Sequence, residues 1–448
     1  MTDPALYRAH LQTLDRYLAD ALDRAARKGI KVEQVLFHAG RSTTYHADDQ
    51  EPPFHPTPHF RRWVPLEGTE HCVVARPGRK PLVVRVAPRD YWYETAPLRP
   101  SYWNDEVDLR EVADFKDIAS AVGSLANTAY VGNSREAAGE LGIADALVEP
   151  EALLRPLDWY RAYKTEHEVA LTREAAERAA DGHRVARKAF EAGLSEREIH
   201  WAYLQASQML EREVPFETIV ALDEKSATLH YQTKRDRESA PGRVFLLDAG
   251  ASADGYASDI TRTWMADGGE AAFRRLLEGV DEFQRDLVGM VTAGRPFLEL
   301  HVEAHRRTAA LLVAAGVLKG TAEEAFDKGV TRTFLPHGLG HHLGIQVHDV
   351  GGRQQGADGG VKPPPKEYPS LRNTRTLEPG HLVTIEPGIY FIPMLLDELR
   401  ESPAAGMVNW PLAERLVACG GIRIEDDVLC TADGPVDLTR PLLPGPRG

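Results

Sequence analysis

The sequence predicts a protein of mixed helix and strand, in which a smaller α/β domain (residues 1–158) precedes a larger, strand-rich domain (159–448). Three observations predict it. The 448 residues are 43% hydrophobic and 27% charged, the balance of a soluble globular chain long enough to divide into domains. The first third interleaves helical and strand periodicities. The remainder is richer in short apolar runs, several of which end in an acid.

The elements follow in order. Leu11, Leu14, Leu18 and Leu22 recur at helical spacing and predict one long opening helix. Strand signals follow in "EQVLFHAG", in "HCVVARPGRKPLVVRVAP" with a hairpin about Pro77-Gly78, and in "TAYVGN". Pro150 and Pro156 bracket an expected linker into a long helix over roughly 158–192. Ser195 and Glu198 predict a capping box that opens the next helix. Further helices are expected near 270–292, 297–316 and 321–328. Residues 351–380 are rich in Gly and Pro and predict a long loop, which inside a compact domain is more often functional than idle.

Charge and cysteine content narrow the function classes. A net charge of −14 argues against a general nucleic-acid binder or a binder of anionic membranes. No apolar run approaches the ~20 residues of a membrane span, and the opening segment has no signal-peptide apolar core. Cys72, Cys419 and Cys430 form no CxxC pattern, so a cytoplasmic protein without a disulfide framework is expected.

The chemistry concentrates in four stretches. In "RVFLLDAGASADGYASDITRTW" (243–264), Asp248 ends one strand-like run and Asp259 lies in the next, with Asp254-Gly255 as a hairpin signal between them. A turn centred on Ala253-Asp254 sets the two acids opposite each other, about 5 Å apart. A turn centred on Asp254-Gly255 makes them diagonal neighbours on one face, about 7–8 Å apart. Either way two like charges share a face, and a cation between them relieves the repulsion. "FLPHGLGHHLGIQVHDVGG" (334–352) places His337, His341, His342 and His348 among glycines, in no zinc-finger or HExxH pattern. Glu386 ends the apolar run of "HLVTIEPGIYF". In "GIRIEDDVLC", alternation puts Arg423 and Glu425 on one face, and taken alone these two read as partners. Four carboxylates balance two divalent cations. Such a donor set suits Mn²⁺, and an imidazole also admits Zn²⁺, Co²⁺ or Fe²⁺.

These segments resemble those of the pita-bread metallopeptidases, in particular bacterial Xaa-Pro dipeptidases (prolidases) and the related organophosphorus acid anhydrolases. The resemblance covers most of residues 160–435, with all motifs in order, and "FHAG…ADDQEPPFHPTPHFRRWVP" resembles the prolidase amino-terminal domain. It implies fold class α+β, a curved antiparallel sheet covered by helices in the pita-bread domain, preceded by the smaller α/β domain. It implies two divalent metal ions, Mn²⁺ first with Co²⁺ or Zn²⁺ as alternatives, held by Asp248, Asp259, His341, Glu386 and Glu425, with Asp259 and Glu425 bridging. It assigns Glu386 to proton transfer, His348 and His230 to the substrate and the oxyanion, and Arg423 to support of the bridging carboxylates. His337 and Tyr390 are implied at pocket positions. Arg372 is implied to read the substrate's carboxylate, and Asp49 its amine from a partner subunit in a homodimer. His342 stands where some relatives carry proline or tryptophan, a departure expected to perturb the pocket.

The implied function is hydrolysis of Xaa-Pro dipeptides by a hydroxide bridging the two ions, with side activity on organophosphorus triesters. The alternatives are an aminopeptidase P acting on longer Xaa-Pro peptides, or a non-catalytic pita-bread binding module. The survival of all five ligand positions places the last well below the others.

Overall fold

A computed structural model describes residues 3–95, 97–236 and 242–446. The chain divides into two compact units, one of residues 1–171 with 354–361, the other of 172–353 with 362–448.

In the first unit, the opening helix Pro4–Arg27 buries Leu11, Leu14, Leu18 and Leu22, as the periodicity predicts. Strands β1 (Gln34–His38), β2 (Cys72–Ala75), β3 (Leu82–Val86), β4 (Asp108–Val112) and β5 (Thr128–Val131) form one sheet in the order β4-β3-β2-β1-β5. The β2–β3 pair is the expected hairpin, with Gly78 at φ +73° in its turn. Side chains alternate between faces. Val35, Phe37, Val73 and Val83 pack with the opening helix, while Leu36, Cys72, Val74 and Val84 pack against Ile118, Ala137 and Ala138. Strand β4, DLREV, has only Leu109 and Val112 as apolar residues, three apart and so out of strand alternation, and the sequence does not mark it as a strand.

Two expectations about connections are corrected. Pro150 and Pro156 do not bracket a linker. Pro150 caps a helix, Glu151–Arg161, and Pro156 lies inside it, buried beside Leu153 and Leu157. Apolar burial there outweighs the one helical hydrogen bond that proline removes. The long helix is Glu166–Glu191. The capping box at Ser195 and Glu198 is formed and opens the helix Glu196–Ser207.

In the second unit, β6 (Ile219–Leu222), β7 (Val244–Asp248) and β10 (Thr261–Met265) form an antiparallel sheet in the order β10-β7-β6. Between its strands, β8 (Ser252–Ala253) and β9 (Tyr256–Ala257) form a short ribbon closed by Asp254 at φ +46° and Gly255 at φ +89°. Two positive φ angles define the type I′ turn that Asp-Gly favours. The Gly/Pro-rich stretch 351–380 is not loop throughout. It contains a hairpin, β11 (Gln354–Gly356) with β12 (Gly359–Val361), which belongs to the first unit. Next come β13 (Leu382–Ile385), β14 (Gly388–Tyr390), β15 (Gly421–Arg423), β16 (Asp426–Thr431) and β17 (Gly434–Asp437). They pair as β13-β16-β17 and β14-β15, all antiparallel, and a bridge between Thr261 and Glu425 joins β10 to this second set. Helices Ala271–Gly289, Phe297–Ala314 and Ala322–Asp327 lie where the periodicity expects them. Among the described residues, no helix is long and apolar enough to cross a membrane.

Candidate metal centre

Register brings the acids together. Asp248 lies opposite Thr261, so Asp259 is its diagonal neighbour on the same face. The turn is therefore the one centred on Asp254-Gly255. Beyond the strand ends the same register continues, with Ala249 N donating to Ile260 O at 3.0 Å and Ser258 N to Ala251 O at 3.1 Å.

His341 arrives on an extended segment that runs antiparallel to β13. Leu343 N donates to Leu382 O, Thr384 N to His341 O and Glu386 N to Leu339 O, at 2.9–3.0 Å. A Cβ at Gly340 would lie 2.0 Å from Thr384 O, so only glycine lets this segment approach the sheet. Glu386 ends β13, and Glu425 follows β15, bonded through its backbone N to Thr261 O at 3.0 Å.

These side chains line one cavity of about 660 Å³, whose wall also includes His230, His337, His348, Arg353, Arg372 and Arg423. Ligand atoms of Asp259, His341 and Glu425 all lie within 4.8 Å of one another. His341 Nε2 is 3.4 Å from Asp259 Oδ2 and 3.7 Å from Glu386 Oε1. His341 Nδ1 lies 3.0 Å from the carbonyl of His342. A carbonyl only accepts, so Nδ1 holds the proton and Nε2 keeps its lone pair for a cation.

The charges are unbalanced as they stand. Burial, reinforced by Asp248, pushes Asp259 well above the carboxylate range. Burial and the nearby Asp259, Glu386 and Asp248 do the same to Glu425. Burial pushes Glu386 up to about 7, with His341 and Arg423 opposing and Asp259 and Asp248 adding. Asp248 Oδ1 is buried and accepts no hydrogen bond among the described residues. An orphaned carboxylate oxygen, three acids that resist ionisation and one imidazole lone pair make a donor set that fits divalent cations.

Arg423 organises this cluster. Its Nη2 donates to Asp248 Oδ2 at 2.6 Å and its Nε to Thr261 Oγ1 at 3.2 Å, and Thr261 Oγ1 donates to Glu425 Oε2 at 2.7 Å. The direct Arg423–Glu425 partnership read from strand alternation is therefore replaced by one that passes through Thr261. Arg423 Nη1 donates to the Tyr390 hydroxyl at 2.8 Å, which lies 2.9 Å from His337 Nε2. His337 Nδ1 faces Gly338 O at 2.8 Å and must donate, so Tyr390 donates to Nε2. Burial, with Arg423 adding, lowers the His337 pKa to about 3, and burial with His341 and Arg372 lowers that of His348 likewise. Both are neutral near pH 7.

One sequence-assigned residue of the second unit does not line the cavity. Tyr390 is fully buried behind Arg423 and acts on the site through it, a correction to its assignment as a substrate contact. Asp49 is exposed in the first unit, where its carboxylate accepts from Gln50 Nε2 at 3.3 Å. Nor does the His342 ring reach the cavity. It packs against His381 at 4.9 Å between centroids, and its carbonyl serves His341 instead. Sequence reasoning missed Arg353, Phe216, Glu217, Leu229 and Val347 in the wall. None carries a local signal, since each reaches the cavity only through the fold.

Comparisons with known proteins agree with this geometry. Residues 170–432 match the model of metallopeptidase family M24, and residues 5–159 match that of the Xaa-Pro dipeptidase N-terminal domain. The chain is 40% identical over 440 residues to an Xaa-Pro dipeptidase of Cronobacter sakazakii, covering 98% of each. It is 41% identical over 443 residues to one of Proteus mirabilis, again covering 98% of each. Among solved structures, an Escherichia coli aminopeptidase P variant in complex with substrate superposes with a TM-score of 0.72 at 24% identity, covering 98% of this chain and 96% of that one. Aminopeptidase P II of Yersinia pestis gives 0.70 at 23% identity, covering 97% and 98%. These two likenesses identify the pita-bread fold with its amino-terminal domain.

Proposed function

This chain belongs to metallopeptidase family M24, a metal-dependent hydrolase, and from that membership we propose that it hydrolyses Xaa-Pro dipeptides. What supports the reading is near-full-length similarity to Xaa-Pro dipeptidases, joined to a cavity lined by Asp248, Asp259, His341, Glu386 and Glu425. Asp248, Asp259, His341, Glu386 and Glu425 would hold two divalent ions, Mn²⁺ by preference of a carboxylate-rich donor set. When bound, such a pair supplies a Lewis acid for the scissile carbonyl and lowers the pKa of a water into the neutral range.

The protein's own groups do the rest. An Xaa-Pro bond is a tertiary amide without an N–H, so a site that grips the scissile N–H has nothing to hold. Glu386, at the cavity wall, accepts the water proton and returns it to the proline nitrogen. His348 and His230, also in the wall, donate to the developing oxyanion. Arg423 keeps Asp248 and, through Thr261, Glu425 fixed while this happens.

Selection of dipeptides falls to Arg372, which lines the cavity and forms no ion pair among the described residues. A free guanidinium there suits the carboxylate of a C-terminal proline, which an aminopeptidase P substrate lacks at that position. Asp49 of a second copy in a homodimer takes the ammonium end. Organophosphorus triesters, with a phosphoryl oxygen to polarise, are a side reaction of the same centre. The test is a matched pair, an Xaa-Pro dipeptide and its C-terminal amide, assayed after chelation and after return of Mn²⁺, Co²⁺ or Zn²⁺. Metal-dependent cleavage of the acid well ahead of the amide is expected. Equal cleavage of both would favour the aminopeptidase.

A further inference from the structure

Arg353 lies where the expected long loop begins, and no motif marks it. Its side chain lines the same cavity as Arg372. Its Nε donates to Leu371 O at 3.0 Å, and its Nη2 donates to Leu371 O at 2.7 Å and to Pro369 O at 3.3 Å. Both carbonyls belong to the segment that presents Arg372. The remaining nitrogen, Nη1, makes no hydrogen bond among the described residues, so one edge of the guanidinium is uncommitted.

The Arg372 segment is held from several sides. Leu371 and Asn373 on either side of it are fully buried, and Thr374 N donates to Gly352 O at 2.9 Å. A Cβ on Gly352 would stand 2.7 Å from Arg372 O, so the backbone carrying Arg353 and that carrying Arg372 touch at a glycine. Two guanidinium-bearing residues thus share one wall of the cavity, one of them anchored by three hydrogen bonds.

We propose that Arg353 is a specificity-determining residue: it clasps the 369–371 backbone to fix Arg372, and its free Nη1 joins Arg372 in binding the C-terminal carboxylate of the dipeptide. This rests on the dipeptidase reading above. The chemistry is that of a planar fork with its donors divided. Nε and Nη2 are spent on carbonyls, which leaves Nη1 to make a charge-assisted bond to a carboxylate oxygen. Lysine cannot divide its donors this way, because its single ammonium cannot reach two carbonyls and a ligand in one plane. A longer peptide or an amide, without the anionic oxygen at that place, gains nothing from Nη1.

Steady-state kinetics on an Xaa-Pro dipeptide and its C-terminal amide test the proposal with the metal-loaded, full-length protein. Loss of one charge-assisted bond is expected to raise KM for the dipeptide about tenfold or more in Arg353→Met, with kcat changed far less. KM for the amide should rise much less, so the acid-to-amide preference narrows. Arg353→Lys, which keeps the charge and guards against loss of fold, should fall between Met and the unmodified protein. Gly352→Ala, which pushes on Arg372 O without touching either guanidinium, should narrow the same preference. If Arg353→Met and Arg353→Lys raise KM for acid and amide equally, or change neither, Arg353 reads no carboxylate and the proposal falls. If the unmodified protein already treats acid and amide alike, it is the dipeptidase reading that fails.

Discussion

Three consecutive acids, Glu425, Asp426 and Asp427, are all buried, yet they meet three different environments. Glu425 faces Asp248, Asp259 and Glu386, where Arg423 is the neighbouring guanidinium, and it is pushed well above the carboxylate range. Burial alone would also raise Asp426, but Arg262 and Arg440 hold it below that range. Arg262 Nη2 donates to Asp426 Oδ1 at 2.7 Å and Arg440 Nε to Oδ2 at 3.0 Å. Arg440 also donates to Asp281 Oδ1 at 2.6 Å, and Gln284 Nε2 to Asp426 Oδ2 at 2.9 Å. Asp427 forms no ion pair among the described residues, and its acidic neighbours are Asp259, Asp426 and Asp437. Burial and Asp259 raise it, and it accepts the Asp259 backbone N–H at 3.2–3.3 Å. The difference teaches that burial of an acid does not mark a metal ligand. What marks a candidate is convergence with other acids and an imidazole on one cavity: Asp248, Asp259, His341, Glu386 and Glu425 line it, whereas Asp426 and Asp427 do not. The adjoining ion-pair network serves the centre by holding it still: Arg262 Nη1 donates to the carbonyls of Thr261 and Glu425, and Gln284 to that of Ile385, next to Glu386.

The contrast is broken most severely on the ligand side. Asp259→Asn keeps volume and removes one charge from the unbalanced cluster. Metal content should drop by at least one ion per chain, and turnover should fall by more than the ~10–100-fold typical of partners outside the ligand set. Far-UV dichroism should report an unchanged fold. Full activity at unchanged metal content would remove Asp259 from the centre.

Next in size is the balanced network. Arg262→Met leaves Asp426 with Arg440 and Gln284 alone and removes the donor to the carbonyls of Thr261, Glu425 and Leu443, and denaturant unfolding should show a loss of about 3–5 kcal/mol. The same change in Asp259→Asn apoprotein should be absent or reversed in sign, since removing one of several crowded acids relieves repulsion.

Proton linkage sharpens the comparison without mutation. Glu386 has its pKa raised from 4.5 to about 7, so the folded apoprotein holds a proton that the unfolded chain has released. The stability from Glu386 is therefore present below pH 4.5 and lost as pH rises towards 7, and Asp259 and Glu425 shift in the same direction. Asp426 is lowered and contributes across this whole window, being lost only in acid. Chelated protein should melt at falling temperature from pH 5 to pH 7. With Mn²⁺ present the trend should reverse, because cations bind the ionised carboxylates and release protons. Parallel pH trends with and without metal would contradict the assignment.

The smallest effect belongs to Asp427. As an acceptor that favours the neutral form, it should tolerate Asn, whose carbonyl can take the same N–H. Thermal unfolding of Asp427→Asn should stay within about 1 kcal/mol of the unmodified chain, with both ions retained.

The sequence by itself determined what depends on near neighbours. The leucine spacing defined the opening helix, Ser195 and Glu198 the capping box, and Asp254-Gly255 a hairpin that sets Asp248 and Asp259 on one face in either of the two registers it left open. The ordered motifs supplied the five ligand candidates. The helix, the capping box and the hairpin are legible because helix, turn and strand periodicity act within a few residues, whereas the choice of ligands, His341 among its neighbours above all, came from the family resemblance. Tertiary structure alone decided the pairing of charges. Nothing in "IRIEDD" says that Asp426 pairs directly with Arg262 and Arg440 while Glu425 faces three other acids and His341 and is reached by Arg423 through a threonine. Nor does the sequence say that Tyr390 stands behind Arg423 rather than in the cavity, that Pro156 sits inside a helix, or that Arg353 turns back to share a wall with Arg372. Buried charges find partners far away in the chain, across sheet edges and loop returns, and such contacts are selected by the energy of the assembled core, which leaves no periodic trace in the residues that make them.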